Sequence, residues 1–127
     1  AYILTPETGS AHEISTDNLS ATGQIRAGQK ALSMWMAPDG SALYVVCREP
    51  RQLTRIALNP LRVEWKMPLP GEPVDFALAA NGAIAAVSSP GPKPLHLLDL
   101  EARAAHPLGV EADIGAVRFL SNSKTLI

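Results

Sequence analysis

The chain has 127 residues, of which 46% are hydrophobic, and its 11 Lys and Arg residues against 12 Asp and Glu residues give a net charge of -1. This balance argues against a non-specific nucleic-acid binder, which needs a basic field to displace phosphate counterions. A single cysteine, Cys47, cannot form an internal disulfide. The most apolar stretch, 76–87, is shorter than the ~20 residues of a membrane-spanning helix, and the length corresponds to one domain or part of one.

Short apolar segments separated by Gly, Pro, Asn and Asp predict a series of short strands. In chain order they are AYIL (1–4), SAHEIST (10–16), TGQIRAG (22–28), the two arms of LSMWMAPDGSALYVV (32–46), QLTRIAL (52–58), RVEWKMPLP (62–70), the two arms of VDFALAANGAIAAV (74–87), PLHLLDL (94–100), RAAHPLG (103–109) and AVRFLSNSKTLI (116–127). The Ala-rich segment 76–87 also has the composition of a helix, but Gly82 at its centre favours two strands.

The strands recur with a period of about 42 residues. Asp39-Gly40 and Asn81-Gly82 are 42 positions apart, and Asn122-Ser123 is a weaker third copy. Because Asp, Asn and Gly tolerate positive φ, we predict tight two-residue hairpin turns at the first two pairs. Each unit then holds four strands, lettered a and b on either side of this turn, followed by c and d. Strand c repeats the same apolar position at Ile14, Ile56 and Leu98.

Four antiparallel strands repeated every 40–45 residues are typical of a β-propeller blade. We therefore predict an all-β fold, a partial β-propeller of four-stranded antiparallel blades. The chain divides into strands b–d of one blade (1–28), two full blades (29–70 and 71–111) and the start of another (112–127). Alternate residues of strand a should be buried between adjacent blades: Met34, Met36, Phe76, Leu78, Val117 and Phe119.

The repeat resembles the YVTN-type propeller repeat of bacterial proteins. Ala37-Pro38-Asp39-Gly40 matches its Ser-Pro-Asp-Gly turn, 43–46 matches the following Leu-Tyr-Val-Ala-like strand, and 97–100 matches its Ile-Asp-Thr position. Gly71-Glu72-Pro73 matches the Gly-x-x-Pro end with its Pro one residue early, and Ala57 stands where the family has Asp. The resemblance covers essentially the whole chain and implies an extracytoplasmic bacterial protein.

The phase of the repeat predicts a piece of a larger ring, because the sequence opens in strand b and ends as it enters strand b again. Closed propellers carry about four to eight blades. The strand a expected at 115–120 could complete the opening blade of a second chain, so that a twofold dimer would close six blades, about three from each chain. An open piece of a longer propeller is the alternative.

Candidate metal ligands and nucleophiles are few. His12 and His96 are two periods apart in strand c, with Thr54 between them, which is more typical of a polar-tolerant strand position than of a metal site. Cys47 at the end of strand b is expected to be buried and inert, although Arg48 beside it would lower the pKa of an exposed thiol. No phosphate loop, dinucleotide fingerprint or Gly-x-Ser-x-Gly elbow occurs, so we assign no catalytic residue, metal or cofactor.

Five of the 11 cations lie within the 19 residues from Arg48 to Lys66. This run is typical of the solvated outer edge of a blade, and the alternative is an anion-binding patch formed by Arg48 and Arg51. Propellers bind mainly through the loops at one end, here the d–a and b–c loops. The residues that we expect to contact a ligand there are Arg48, Arg51, Glu72 and Lys93.

The sequence therefore favours a non-enzymatic binding or scaffold propeller that recognises a protein or a small molecule. The alternative is part of a lactonase-like hydrolase, because that family shares closely similar repeats and would need His, Glu or Arg side chains converging at the channel mouth. The fold alone does not decide between the two.

Overall fold

The computed structural model describes residues 2–5, 10–15, 20–49, 51–58, 61–90, 94–108 and 117–118. These residues form three antiparallel sheets and contain no helix. Sheet 1 comprises β1 (Tyr2–Thr5), β2 (Ser10–Ser15) and β3 (Ser20–Arg26). Sheet 2 comprises β4 (Gln29–Met36), β5 (Ala42–Glu49), β6 (Arg51–Ala57) and β7 (Arg62–Pro68). Sheet 3 comprises β8 (Asp75–Leu78), β9 (Ile84–Ser88), β10 (Leu95–Asp99) and β11 (Ala104–Leu108).

Each sheet is a meander in which hydrogen-bonded neighbours are consecutive in the chain. The prediction of an all-β fold built from four-stranded antiparallel blades is confirmed, and β4–β7 and β8–β11 each supply strands a to d in order. No helix long and apolar enough to cross a membrane is found in the described ranges.

The a–b hairpin turns lie where the sequence placed them, but their predicted geometry is wrong. Only the glycine of each pair has positive φ, 74° at Gly40 and 71° at Gly82. The Gly40 N–H donates to the Ala37 carbonyl at 2.9 Å, which is the hydrogen bond of a type I turn, and residues 38–41 connect the strands. Pro38 suits the second position of such a turn because its ring fixes φ near −65°.

The same side-chain contact supports both a–b turns. The Asp39 carboxylate accepts a hydrogen bond from the Ser41 N–H at 3.0 Å, and the Asn81 side-chain oxygen accepts one from the Ala83 N–H at 3.0 Å. This Asx-turn contact uses a side-chain oxygen that Asp and Asn share. The drift from Asp to Asn between the two units therefore keeps the turn intact.

Strand β5 is buried on both faces because it lies between two interfaces. Tyr44 and Val46 belong to the core cluster between sheets 2 and 3, whereas Leu43, Val45 and Cys47 belong to the cluster between sheets 1 and 2. This explains why the strand is continuously apolar rather than alternating. Sheet 3 contributes to its interface with sheet 2 the residues Phe76, Ala85, Val87, Leu98 and Leu100.

Burial of the strand a residues agrees with the prediction at Phe76 and Val117, which are buried, and in part at Met34 and Leu78, which are half-buried. Met36 is 44% exposed, so its predicted burial is wrong. Met36 is the last residue of β4 and lies beside the exposed residues 38–41 of the a–b turn. Phe119 lies outside the described residues.

Asp75 connects β8 to the segment that follows sheet 3. Its carboxylate accepts hydrogen bonds from the Val117 N–H at 3.0 Å and from Arg118 Nη1 at 2.6 Å, and the Arg118 guanidinium lies 6.0 Å from the centre of the Trp35 ring. Burial raises the pKa of Asp75, but the N–H groups of Val117 and Phe76 and the Arg118 charge outweigh it and hold this pKa below its ordinary value of 3.8.

Candidate binding groove between sheets 2 and 3

A groove of about 480 Å³ opens between sheets 2 and 3, at the end of the sheets that carries the a–b and c–d turns. A smaller cavity of about 150 Å³ adjoins it and shares Arg55 and Gly82 with it. Such a volume matches that of small-molecule and peptide side-chain sites. The residues that line the larger groove are Tyr44, Arg55, Glu64, Trp65, Gly82, Leu100, Glu101 and Arg103.

The sheet 2 wall of the groove belongs to a ladder of paired residues that crosses all four strands. Trp35 pairs with Tyr44, Tyr44 with Arg55, and Arg55 with Trp65. Residues directly opposite in an antiparallel sheet share one face, so three aromatic rings and one guanidinium face sheet 3 together. The same register in sheet 3 carries Ala77, Ala86, Leu97 and His106. The bulky ladder is therefore a property of sheet 2 and not of the repeat.

Arg55 is fixed at the centre of the ladder by two partners. Its Nε donates to Glu64 Oε2 at 3.1 Å, its Nη1 donates to the Tyr44 hydroxyl, and its guanidinium lies 5.3 Å from the centre of the Tyr44 ring. Burial alone would lower the pKa of Arg55, but the Tyr44 oxygen and Glu64 outweigh it and hold this pKa above its ordinary value. Arg55 therefore stays charged, with its orientation set by the protein.

A β-bulge places Glu64 within reach of Arg55. The pairing of β6 with β7 passes from Arg55–Trp65 to Ile56–Val63, which leaves Glu64 without an opposite residue. Bulges redirect a side chain that would otherwise alternate to the opposite face. Glu64 and its neighbour Trp65 consequently both line the groove.

The sheet 3 wall is formed by the turn between β10 and β11. The Asp99 carboxylate accepts hydrogen bonds from the N–H groups of Glu101 and Ala102, each at 3.1 Å, and Arg103 closes the turn with a φ of 55°. A positive φ is uncommon for a residue other than glycine. The Arg103 guanidinium lies 5.9 Å from the centre of the Trp65 ring, within the range of a cation–π contact.

The charged residues that line the groove differ in whether they form an ion pair. Arg55 and Glu64 form an ion pair whose side chains are 23% and 29% exposed. Arg103 and Glu101 are both exposed, and within the described part of the chain neither forms an ion pair. Arg103 is thus held by a ring and a turn rather than by an acidic partner.

The residues expected to bind a ligand lie elsewhere. Arg48 and Arg51 are exposed and face each other where β5 turns into β6, at the end of sheet 2 opposite the groove. Glu72 is exposed in the d–a connection between β7 and β8, and Lys93 lies outside the described residues. Among the residues that the structure covers, Arg48, Arg51 and Glu72 form no ion pair, and their role stays a prediction.

The sequence signals for the groove were present but not specific. Arg55 belongs to the basic run that is typical of a solvated blade edge, and Asp99 is predicted only as part of the repeat. Trp65 carried no signal of its own. What brings these residues together is the cross-strand register and the packing of one blade on the next.

The polar residues of strand c serve packing in sheet 2. Thr54 Oγ1 and Gln52 Nε2 both donate to the Ala27 carbonyl, at 3.2 and 3.0 Å, and so connect β6 to the segment between β3 and β4. His96, at the position equivalent to Thr54, is buried. No group of three or more His, Cys, Asp or Glu residues that could hold a metal ion occurs in the described segments.

Cys47 has no access to solvent, and burial raises the pKa of its thiol to about 11. Gly28 packs so closely that a Cβ atom there would meet Cys47 Sγ at 2.8 Å. A neutral, covered thiol is a poor nucleophile, which favours the inert interpretation of Cys47.

Comparison with solved structures establishes the fold. The chain is similar to hydrazine synthase of Kuenenia stuttgartiensis with a TM-score of 0.80 and 18% identity, over 98% of this chain and 37% of that one. It is similar to the Cps50 (Swd1) β-propeller domain of Myceliophteria thermophila with a TM-score of 0.75 and 15% identity, over 87% and 38%. It is also similar to the dihydro-heme d1 dehydrogenase NirN, in complex with DHE, with a TM-score of 0.77 and 18% identity, over 92% and 27%.

The fold is a β-propeller. The chain spans roughly a third of the length of these proteins, and identities of 15 to 18% show the fold alone. No protein family model and no curated protein matches the chain. Membership of the YVTN-type family therefore remains a proposal.

Proposed function

We propose that this chain is part of a non-enzymatic β-propeller binding module whose ligand occupies the groove between sheets 2 and 3. The observation that carries the proposal is the ladder of sheet 2, where Tyr44, Arg55 and Trp65 replace the Ala86, Leu97 and His106 of sheet 3. Residues needed by the repeat recur in each unit, whereas these three do not. Aromatic residues and arginine are the types enriched at binding hot spots.

A packing role accounts for Tyr44 more readily than for the other two residues. Tyr44 is buried in the core, but Arg55 and Trp65 are half-buried at the edge of an open groove. Trp65 lies between the Tyr44 ring, at a centroid distance of 6.1 Å, and the Arg103 guanidinium. An aromatic ring that is fixed by the protein and partly accessible supports ligand binding at low entropic cost.

We also propose that the chain belongs to the YVTN-type family and that a second ligand-binding surface lies at the other end of the propeller. The Ala37–Gly40 turn and Asp99 support a YVTN-type repeat, with blades at 1–28, 29–70, 71–111 and 112–127, and that family supports an extracytoplasmic location. Arg48, Arg51, Glu72 and Lys93 form a second predicted surface on the d–a and b–c loops.

A fragment screen by NMR distinguishes the two surfaces. We expect small aromatic and charged fragments to shift the indole N–H signal of Trp65 and the backbone signals of the β10–β11 turn. The assignment of the Trp65 signal comes from Trp35→Phe, because the chain has 2 tryptophans. Fragments that shift only Arg48, Arg51 and Glu72 would move the binding site to the loops, and a screen in which no fragment shifts either surface would contradict the proposal.

A further inference from the structure

We propose that the groove recognises a single carboxylate, the acidic side chain or the C-terminus of a peptide segment, through the guanidinium of Arg103, which lies over the Trp65 ring. This inference rests on the proposed function and names the chemical class of its ligand. It starts from the position of Arg103, which lines the groove 5.9 Å from the centre of the Trp65 ring.

The structure restricts Arg103 both at its backbone and at the tip of its side chain. At the backbone, the hydrogen bonds from Glu101 and Ala102 to Asp99 fix the turn in which Arg103 has a φ of 55°. At the tip, Trp65 offers a flat surface to the guanidinium. A cation–π contact uses none of the N–H donors of the guanidinium, so its fork stays available to a carboxylate. These contacts restrict Arg103 before the ligand arrives, which lowers the entropy that binding costs.

Arg103 is available because no acidic side chain among the described residues forms an ion pair with it. In the described part of the chain it has no carboxylate within ion-pair distance, whereas Arg55 is bound by Glu64 at 3.1 Å. The groove thus contains one rigid, partnered cation and one that lacks an acidic partner.

The charge balance selects a single carboxylate over a polyanion. The lining includes Arg55 and Arg103 but also Glu64 and Glu101, so its formal charges cancel. The single unpaired guanidinium matches the one charge of a carboxylate, whereas a phosphate with about two charges would keep one charge unmatched beside Glu101. Trp65, Tyr44 and Leu100 add apolar surface to the groove, which suits the chain atoms next to a peptide carboxylate.

Titrations of the intact protein with capped tripeptides test the inference. The probes are acetyl-Gly-Glu-Gly-amide, its neutral isostere acetyl-Gly-Gln-Gly-amide, acetyl-Gly-Gly-Gly with a free C-terminus, and inorganic phosphate. We expect the glutamate peptide, the free C-terminus or both to shift the Trp65 indole N–H signal, and the glutamine peptide and phosphate to bind at least about tenfold more weakly. The two carboxylate peptides distinguish a side chain from a C-terminus.

Three variants locate the carboxylate contact. Arg103→Gln should weaken binding of the carboxylate peptide by roughly tenfold or more, and Arg103→Lys, which keeps the charge but loses the fork, by several-fold. Lys66→Gln is the matched control, because Lys66 follows Trp65 on β7 and its side chain points to the opposite face. Its effect should stay within about twofold.

The outcomes separate this inference from the proposed function. Glutamate and glutamine peptides that bind equally well at Trp65, or Arg103→Gln with unchanged affinity, would overturn carboxylate recognition while leaving the groove as a binding site. If phosphate binds more tightly than the peptides, the ligand would be a polyanion, and carboxylate recognition would be overturned as well. Absence of any response at Trp65 to these probes and to the fragment screen would overturn both proposals.

Discussion

Replacing Phe76 with Ala tests the packing of sheet 2 on sheet 3. Phe76 has no accessible surface, lies opposite Val87 in sheet 3, and meets Trp35 of sheet 2 edge to face with a centroid distance of 6.1 Å. A buried Phe→Ala change costs about 3–5 kcal/mol, since it removes apolar contacts and leaves a cavity that two hydrogen-bonded sheets cannot close. The aromatic pair contributes about 0.5–1.5 kcal/mol of that loss.

The assay is urea denaturation followed by circular dichroism, with the free energy of unfolding extrapolated to water. Met36→Ala is the matched control, because Met36 also lies on strand a but is 44% exposed, and its loss should stay below about 1 kcal/mol. A Phe76→Ala loss under about 1 kcal/mol, or equal losses for the two variants, would refute the packing described between the sheets.

Four further substitutions test local features. Gly40→Ala and Gly82→Ala should each lose roughly 1–2 kcal/mol of stability in urea melts because both positions have positive φ. Gly82→Ala should lose more, because its Cβ would lie 3.1 Å from Pro38 Cδ whereas nothing lies within 4 Å at Gly40; equal losses would argue against that contact. Because burial raises the pKa of Cys47 from 9.0 to about 11, the free energy of unfolding should fall as pH rises from 9 to 11. Cys47→Ala should make that fall smaller in a pH series of urea midpoints, and an unchanged slope would contradict the burial of the thiol. The folded-state pKa of Asp75 lies below 3.8, so the stability that its carboxylate contributes is present above pH 4 and is lost on acidification. In thermal melts, Asp75→Asn should be less stable than the parent at pH 7, and the two proteins should converge at lower pH. A constant difference in stability would contradict the ion-pair role of Asp75.

The fold could be predicted because its signals are local. Asp39-Gly40 and Asn81-Gly82 mark the same turn 42 positions apart, and a period of that length with four short strands per unit leaves few architectures. The type of the turn was harder to predict, since Asp-Gly is compatible with more than one turn type. Pro38 and the Asx-turn contact at Asp39 select the type I form.

The groove could not be predicted because no local pattern encodes it. Glu64 reaches Arg55 through a bulge, and Arg103 reaches Trp65 only after one sheet has packed on the next. The exposure of Met36 likewise follows from its position at the end of β4 beside an exposed turn, and not from its alternation along the strand. Such features depend on register and on neighbours, which a single sequence specifies only through the finished fold.

The meander order of the sheets has a consequence for how such chains change over evolutionary time. Every hydrogen-bonded strand pair in the described sheets joins neighbours in sequence, so closing each pair costs little loop entropy. If one unit is duplicated or lost, each strand of the other units keeps the same hydrogen-bonded partner. The constraint on a newly adjacent unit falls on its two faces, because the face of sheet 2 that carries Tyr44 packs on a face that combines the small Ala85 with the large Phe76. The number of blades can therefore change during evolution more readily than the order of the strands within a blade.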